Sequence, residues 1–295
     1  MPANPDLRFL LSLSVFLSAS SALINTYTAL AEDRLIPAHP AIKVQVEVRY
    51  HPRLIRVFSF LVPTDHPDLK WDVAIAPDND GPGPSEASLV DPVVLARRAG
   101  LLVAIHADAW AVSPREDRKG GDKREEKLEA FRSPIVDICG WVCREGKTIS
   151  KPDPAHWSFW FTPSGEPRIG NLREEVPAQL AISGFGPLVL EGKILPGEGG
   201  ELAPRCAVGV TRDRRTGILM VVDGRRRGWS EGVNCRELAE LLRDKGAWEA
   251  IQLDGGGSAF AIVRDATGEY RIINRPSDSL LTRPIPALVG VRRSK

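Results

Sequence analysis

The stretch Ile251–Ser258 constrains the fold more than any other part of the sequence. It reads IQLDGGGS, an apolar strand that ends in a carboxylate and runs directly into three glycines and a hydroxyl. Adjacent glycines pack no side chain and allow positive φ, and their successive N–H groups can form a concave nest for an anion. The octet therefore predicts a strand end that places one acid beside an anion cradle. The alternative is a tight glycine turn next to a buried, capping Asp254.

Alternating and short apolar runs predict strands along most of the chain. The clearest lie at residues 42–48, 56–62, 101–105, 207–210, 218–222, 250–253, 260–263 and 270–273. Apolar residues at helical spacing predict helices at 89–99 and 235–245, the second capped by Asn234 and ended by Gly246. Because strands dominate and the helices are few and separate, we expect an α+β fold. It would hold a large mixed, mostly antiparallel sheet with a few packed helices in a single domain.

Composition excludes some partners. The 295 residues include 43% hydrophobic residues, enough for a sizeable core, and the formal net charge is +1. A nearly neutral chain gives no reason to expect nucleic acid or an anionic membrane as a partner. The local run Arg225–Arg227 is either an anion contact or a solvated turn.

Residues 1–31 are typical of a secretory signal peptide. Arg8 precedes the apolar stretch 9–24, and Ala29-Leu30-Ala31 fits the small-x-small cleavage pattern before Glu32. We expect a secreted or periplasmic protein with no stable membrane span after signal removal; an uncleaved anchor is the alternative. Residues 32–99 would supply N-terminal strands and a helix, as part of the same domain or as a small lead-in. The main domain would span 100–295.

Four cysteines suit an oxidising compartment. Cys139 and Cys143 could form one bridge and Cys206 and Cys235 another, although four cysteines allow three pairings. A metal site is a rival that the Cys-x3-Cys spacing supports poorly. A third reading makes Cys206 a small buried residue.

The order of the motifs resembles the phosphodiester glycosidase family over roughly residues 100–292. The Asp-Gly-Gly-Gly-Ser block is the most specific part of the resemblance. The matching segments are Ala104–Trp110, Ile182–Gly184 with Pro187–Val189, Arg205–Gly209, Val221–Arg225, Ser230–Gly232, Glu237–Ala239, Leu253–Ser258, Asn274–Asp278 and Arg283-Pro284.

Three positions depart from the family pattern. The family usually has Asn where His106 stands, often Phe where Trp110 stands, and Thr where Cys206 stands. The resemblance implies hydrolysis of a sugar-1-phosphodiester, which frees the sugar and leaves a phosphomonoester. Such a reaction needs a carboxylate near the anomeric carbon and cations or N–H groups on the phosphate.

Four residues are candidates for catalysis. Asp254 is the predicted carboxylate, as base or nucleophile, and Asp108 is its expected partner because glycoside hydrolysis uses two carboxylates. Asp223 ends a neighbouring strand and would bring a further carboxylate to the same rim. His106 is an acid/base or metal-ligand candidate, with a satisfied structural histidine as the alternative.

Six residues are candidates for substrate binding. Arg205 and Arg225 would grip phosphate, the glycines would donate N–H groups to an anion, and the serine hydroxyl would bind the ligand or the turn. A structural salt bridge is the alternative for Arg205. The set is Arg205, Arg225, Gly255, Gly256, Gly257 and Ser258.

No cofactor is expected, although a divalent ion among Asp108, Asp223 and Asp254 is conceivable because it would relieve their mutual repulsion. The predicted function is a hydrolase that cleaves a sugar-1-phosphodiester in cell-envelope or exopolysaccharide material. Its partner would be a glycosyl phosphodiester or anionic glycan. The alternatives are a non-catalytic envelope protein that binds anionic glycans and a metal-dependent phosphodiesterase that cleaves the P–O bond.

Overall fold

Strand residues dominate the chain and build three large antiparallel sheets. The computed structural model describes residues 38–78, 85–112, 135–278 and 282–294. The predicted signal peptide at 1–31 lies outside these residues. The described residues belong to one compact unit, Pro37–Lys295.

The helices and strands are short and closely spaced. Among the described residues, two α-helices and one 3-10 turn, Gly256–Ser258, interrupt the strands. In chain order the elements are β1 (Lys43–Arg49), β2 (Ile55–Pro63), β3 (Leu69–Ile75), β4 (Ala87–Ser88), α1 (Pro92–Ala99), β5 (Leu101–His106), β6 (Trp110–Val112), β7 (Ile135–Ile138), β8 (Val142–Arg144), β9 (Lys147–Ser150), β10 (Trp157–Phe161), β11 (Pro167–Gly170), β12 (Leu180–Gly184), β13 (Gly186–Leu190), β14 (Lys193–Ile194), β15 (Arg205–Thr211), β16 (Thr216–Val222), α2 (Cys235–Asp244), β17 (Ala247–Leu253), β18 (Ala261–Arg264), β19 (Tyr270–Ile272) and β20 (Ala287–Arg293).

The largest sheet has seven strands in the order β1-β2-β16-β15-β17-β13-β14. Two five-stranded sheets follow the orders β11-β10-β12-β8-β9 and β19-β18-β5-β20-β3, and a small sheet has the order β4-β7-β6. Strands from the first third of the described chain thus pair with strands from the last third, as β2 does with β16 and β3 with β20.

The main core lies among the three large sheets. Each sheet contributes buried apolar residues to it, and examples are Phe60 and Leu219 from the first, Phe159 and Ile182 from the second, and Val103 and Val289 from the third. A second cluster lies on the other face of the seven-stranded sheet, where α2 packs Leu238, Leu241 and Leu242 against β13, β15 and β17. Burial on both faces explains why β16 reads as a continuous apolar run.

Both helices carry strong end signals. The Asp91 carboxylate accepts hydrogen bonds from the N–H groups of Val93 and Val94 at the start of α1, and Gly100 ends the helix at φ 68°. Asn234 and Glu237 form a capping box at the start of α2. The two predicted helices are therefore confirmed. Neither helix, nor any other helix among the described residues, is long and apolar enough to cross a membrane.

The fold class needs a correction. The large, mostly antiparallel sheet is confirmed, and every strand pairing in the described part of the chain is antiparallel. The protein is mostly β rather than a balanced α+β fold, because the two helices only cover outer faces of sheets. Hairpin connections, such as that between β15 and β16, generate the antiparallel pairing.

The expected disulfides are wrong: all four cysteines are free thiols. Cys206 belongs to the core among the sheets, whereas Cys235 packs against the cluster on the opposite face of the seven-stranded sheet. Cys143 is buried in a separate cluster around Trp141. The reading of Cys206 as a small buried residue is confirmed.

Candidate active site

The ends of strands from all three large sheets meet at Asp254. The Asp254 N–H, just after β17, donates to the carbonyl of Ala107, just after β5, at 3.0 Å. Near the end of β12, the N–H of Ser183 donates to the Asp108 carboxylate at 2.6 Å. These backbone links fix the two carboxylates relative to three rigid sheets, which is how a fold holds catalytic groups in place.

The glycine turn uses most of its own hydrogen-bonding groups. The Gly255 N–H donates to Asp254 Oδ1 at 2.9 Å, and the Gly256 N–H donates to the Pro204 carbonyl at 3.0 Å. The Ser258 hydroxyl donates to the Gly255 carbonyl at 3.1 Å and is fully buried. This differs from the expectation that all three glycines present N–H groups to an anion. The N–H groups of Gly255 and Gly256 are already hydrogen-bonded within the protein, to Asp254 and to the Pro204 carbonyl.

Close approach of other groups explains two of the glycines. A Cβ on Gly255 would lie 2.8 Å from the Pro204 carbonyl oxygen, and one on Gly257 would lie 2.1 Å from Asp278 Oδ1. Both distances are shorter than a carbon–oxygen contact allows. Glycine at position 255 therefore lets the turn pass the Pro204 backbone, whereas a side chain at position 257 would have to displace the Asp278 carboxylate.

A cleft of about 450 Å³ opens in front of the turn. The Asp254 side chain is 25% exposed there, so its carboxylate is accessible to a ligand. Three arginines and a second acid, Glu201, also line it. The full lining is Phe185, Glu201, Ala203, Pro204, Arg205, Arg225, Gln252, Asp254, Gly255, Gly256, Gly257 and Arg283.

The three cleft arginines are held by the protein. Arg205 donates through Nε to the Val233 carbonyl at 3.2 Å and through Nη2 to the Glu201 carbonyl at 2.9 Å. Arg225 pairs with the Glu201 carboxylate at 3.0 Å, and Arg283 pairs with Asp278 at 2.6 Å. Fixed guanidinium groups lose little freedom when they bind an anion.

His106 lies beneath Asp254. Its Nδ1 is 3.5 Å from Asp254 Oδ2, and the imidazole is fully buried. Burial lowers the pKa of His106, the Asp254 charge opposes that shift, and the Arg283 charge adds to it. The ring is therefore neutral at neutral pH.

Asp108 is fully buried and does not line the cleft. Burial holds its pKa well above the usual range, the Ser183 N–H lowers it, and the nearby Asp254 charge raises it further. Its Oδ2 makes no hydrogen bond with the described residues. These features favour a protonated Asp108 next to Asp254.

A sequence profile described as phosphodiester glycosidase matches residues 123–292, more than half of the chain. The chain belongs to the phosphodiester glycosidase family. Asp254, the glycine turn and all three cleft arginines lie inside the matched region, whereas His106 and Asp108 precede it. Comparison with curated protein sequences gave no match.

Solved structures share this family member's fold at low sequence identity. The zebrafish N-acetylglucosamine-1-phosphodiester alpha-N-acetylglucosaminidase catalytic domain, auto-inhibited by its pro-peptide, is 19% identical, with a TM-score of 0.61 over 88% of this chain and 86% of that one. A hypothetical protein from Synechocystis is 15% identical, with a TM-score of 0.54 over 85% and 62%. A putative exported protein from Burkholderia pseudomallei K96243 is 11% identical, with a TM-score of 0.55 over 81% and 74%.

Asp223 lies outside the cleft lining in this phosphodiester glycosidase family member. Its carboxylate accepts hydrogen bonds from Trp229 Nε1 and Asn274 Nδ2, both at 2.8 Å, and from the Arg275 N–H at 3.0 Å. Burial raises the pKa of Asp223, and these donors oppose the shift. The residue ties three segments together behind the glycine turn instead of facing the rim.

Sequence reasoning missed several cleft residues. Phe185 and Gln252 line the cleft, as do Glu201 and Pro204. Gln252 stands two positions before Asp254, so the alternation of β17 was a usable signal. For Phe185 the signal was a large aromatic side chain between two glycines at a bulged strand.

One group among the described residues has metal-ligand geometry, and it is not in the cleft. It consists of His39, His66 and Asp68, whose ligand atoms lie within 4.8 Å of one another. The Nδ1 atoms of both histidines accept backbone N–H groups at 3.2 Å. In the part of the chain that the structure describes, Asp108, Asp223 and Asp254 do not form such a group.

Proposed function

We propose that this protein hydrolyses glycosyl phosphodiesters by cleaving the bond between the anomeric carbon and the phosphate oxygen. The observation that carries the proposal is the accessible Asp254 carboxylate in one cleft with Arg205, Arg225 and Arg283. Membership of the phosphodiester glycosidase family supports the same reaction.

Asp254 acts at the anomeric carbon. Its Oδ1 is held by the Gly255 N–H and its Oδ2 faces His106, so the carboxylate is oriented before substrate arrives. The transition state of glycoside cleavage carries positive charge on the sugar ring. A fixed carboxylate stabilises that charge without reorganising.

The arginines act on the phosphate. A departing phosphomonoester is already a stable anion, so it needs cations more than it needs a proton. Arg205, Arg225 and Arg283 supply that charge in the cleft. Guanidinium groups match phosphate oxygens in geometry, which favours the leaving group as negative charge builds on it.

His106 and Asp108 are positioning residues. Neither lines the cleft, and both are fully buried behind Asp254. A neutral His106 supports Asp254 Oδ2 from below, and a protonated Asp108 avoids repelling the Asp254 charge. Asp223 holds the loops that carry Trp229 and Asn274 and does not act on substrate.

We propose that the substrate is cell-envelope or exopolysaccharide material and that the mature protein is secreted or periplasmic. The support is the signal-like segment 1–31 with its cleavage pattern before Glu32. Production of the full chain in a Gram-negative host, followed by fractionation and N-terminal sequencing, should find a periplasmic protein that begins at Glu32. An uncleaved protein in the cytosol would refute this localisation.

The direct test of the activity is Asp254→Asn with a synthetic glycosyl-1-phosphodiester as substrate. Asn keeps an oxygen for the Gly255 N–H, so the turn should survive, while kcat should fall by roughly a thousandfold or more. Turnover equal to the parent would remove Asp254 from catalysis. Saturable binding of sugar phosphates without turnover by the parent would instead indicate a binding protein. Activity abolished by a chelator would indicate a metal-dependent phosphodiesterase.

A further inference from the structure

Phe185 is an exposed aromatic side chain in a polar cleft. It is 47% exposed, and of the large apolar side chains left exposed by the described residues it alone lines the cleft. Its position is fixed by the backbone, because the Phe185 N–H donates to the Gln252 carbonyl at 2.9 Å. An aromatic ring held open to solvent beside a catalytic carboxylate is typical of a ligand subsite.

His156 supports the Phe185 ring from behind. The two ring centroids are 6.3 Å apart with the planes tilted by 46°. His156 is itself held by Asp153: its N–H donates to the Asp153 carbonyl at 2.8 Å, and its Nδ1 lies 3.3 Å from the Asp153 carboxylate. A supported ring loses little rotamer freedom when a ligand covers it.

The aromatic and the cations lie on opposite sides of Asp254 along the chain. The Phe185 backbone N–H is hydrogen-bonded to Gln252, two residues before Asp254. The Arg225 guanidinium lies close to Gly256, two residues after Asp254: a Cβ built on Gly256 would be 3.3 Å from Arg225 Nη1. The contacts made by Phe185 and Arg225 therefore flank Asp254 in the sequence.

We propose that Phe185 forms the platform of the sugar subsite, against which the apolar C–H face of a pyranose ring lies. The inference rests on the proposed function and adds the direction of the substrate. The sugar lies on the Phe185 side, the phosphate lies on the arginine side, and the anomeric carbon meets Asp254. Covering the ring removes apolar surface from water, which favours a sugar phosphate over free phosphate.

Titration calorimetry on the full chain tests the platform with glucose 1-phosphate and inorganic phosphate as probes. Phe185→Ala should bind glucose 1-phosphate about tenfold more weakly, since an aromatic face is lost from the contact, and should bind inorganic phosphate unchanged. Phe185→Tyr should retain the affinity of the parent. Leu195→Ala is the matched control, because Leu195 is 46% exposed and lies outside the cleft lining.

Equal affinity of the parent and Phe185→Ala for glucose 1-phosphate would overturn the platform, as would a parent that does not bind glucose 1-phosphate at all. A loss of affinity for inorganic phosphate as large as the loss for glucose 1-phosphate would also overturn it. Turnover is measured separately. A parent that binds as expected but never hydrolyses a glycosyl phosphodiester would refute the proposed function and leave the subsite standing.

Discussion

His106 Nδ1 lies 3.5 Å from Asp254 Oδ2, with the imidazole fully buried and the carboxylate a quarter exposed. The cleft contains two acids. Glu201 pairs with Arg225, whereas Asp254 has no arginine partner among the described residues and instead contacts this buried neutral ring. The position matters because the family usually has Asn where His106 stands. Both side chains are polar and uncharged here, so the chain replaces one neutral polar neighbour of Asp254 with another.

We expect His106→Ala to lower kcat by about tenfold to a hundredfold, because Asp254 Oδ2 loses its support from below. His106→Asn should recover most of the activity, since the amide restores a neutral polar side chain next to Asp254. Steady-state kinetics on both variants, with thermal unfolding as the check on folding, make the comparison. Full activity of His106→Ala would contradict the positioning role.

Asp108→Asn should keep kcat within a few-fold of the parent at neutral pH, because an amide imitates a protonated carboxyl group and still accepts the Ser183 N–H. Asp108→Ala should lose much more, since the Ser183 N–H would be buried without a partner. If Asp108 were the general acid instead, Asn and Ala would be equally damaging.

The pH dependence of stability, compared between the parent and Asp108→Asn, tests the protonation state of Asp108. Its pKa is raised well above 3.8 in the folded protein, so the folded state holds the proton more tightly than the unfolded state. The stabilisation is thus fully present at acid pH below 3.8 and is lost as pH rises towards the folded pKa. Urea unfolding across that range should show a smaller decline for Asp108→Asn than for the parent. Parallel curves would contradict the assignment.

Gly257→Ala should destabilise the protein by about 1 kcal/mol, because the added methyl must push aside the Asp278 carboxylate, which is the end of a flexible side chain. The displaced Asp278 should also release Arg283, so kcat/KM should fall with stability. Gly197→Ala is the control, since its Cβ would meet nothing within 4 Å. Chemical unfolding and kinetics on both variants decide the matter, and a Gly257→Ala protein as stable as the control would refute the packing account.

Arg225→Ala should lower kcat/KM by roughly tenfold to a hundredfold, the worth of one charge-assisted hydrogen bond to phosphate. Arg212→Ala serves as the control, because Arg212 stacks over Trp248 at 4.7 Å and does not line the cleft. The difference in kcat/KM between the parent and Arg225→Ala should shrink at high salt, because solvent ions then screen the exposed Arg225 charge in the parent. Equal kinetics for the two variants would exclude Arg225 from phosphate binding.

Local signals in the sequence predicted the strands and helix ends well. The strand before Asp254, the turn after it and the Asn234 cap all follow from side-chain alternation and capping chemistry over a few residues. The balance of helix to strand was harder to judge. Short strands such as β8 and β14 exist only because a neighbouring strand pairs with them.

Long-range contacts explain the differences at the site. Asp223 ends its strand as predicted, but donors from Trp229, Asn274 and Arg275 take its carboxylate, and two of these residues are about fifty positions away. The free state of Cys206 and Cys235 likewise depends on which face of the sheet each occupies. Neither fact can be obtained from residue spacing alone.

The most direct test of the account is hydrolysis of a glycosyl-1-phosphodiester by the parent protein in oxygen-18 water. Mass spectrometry of both products shows which bond the water oxygen enters. Attack at the anomeric carbon beside Asp254 predicts the label in the released sugar and none in the phosphomonoester. Label in the phosphomonoester would mean cleavage of the P–O bond and would contradict the role given to Asp254.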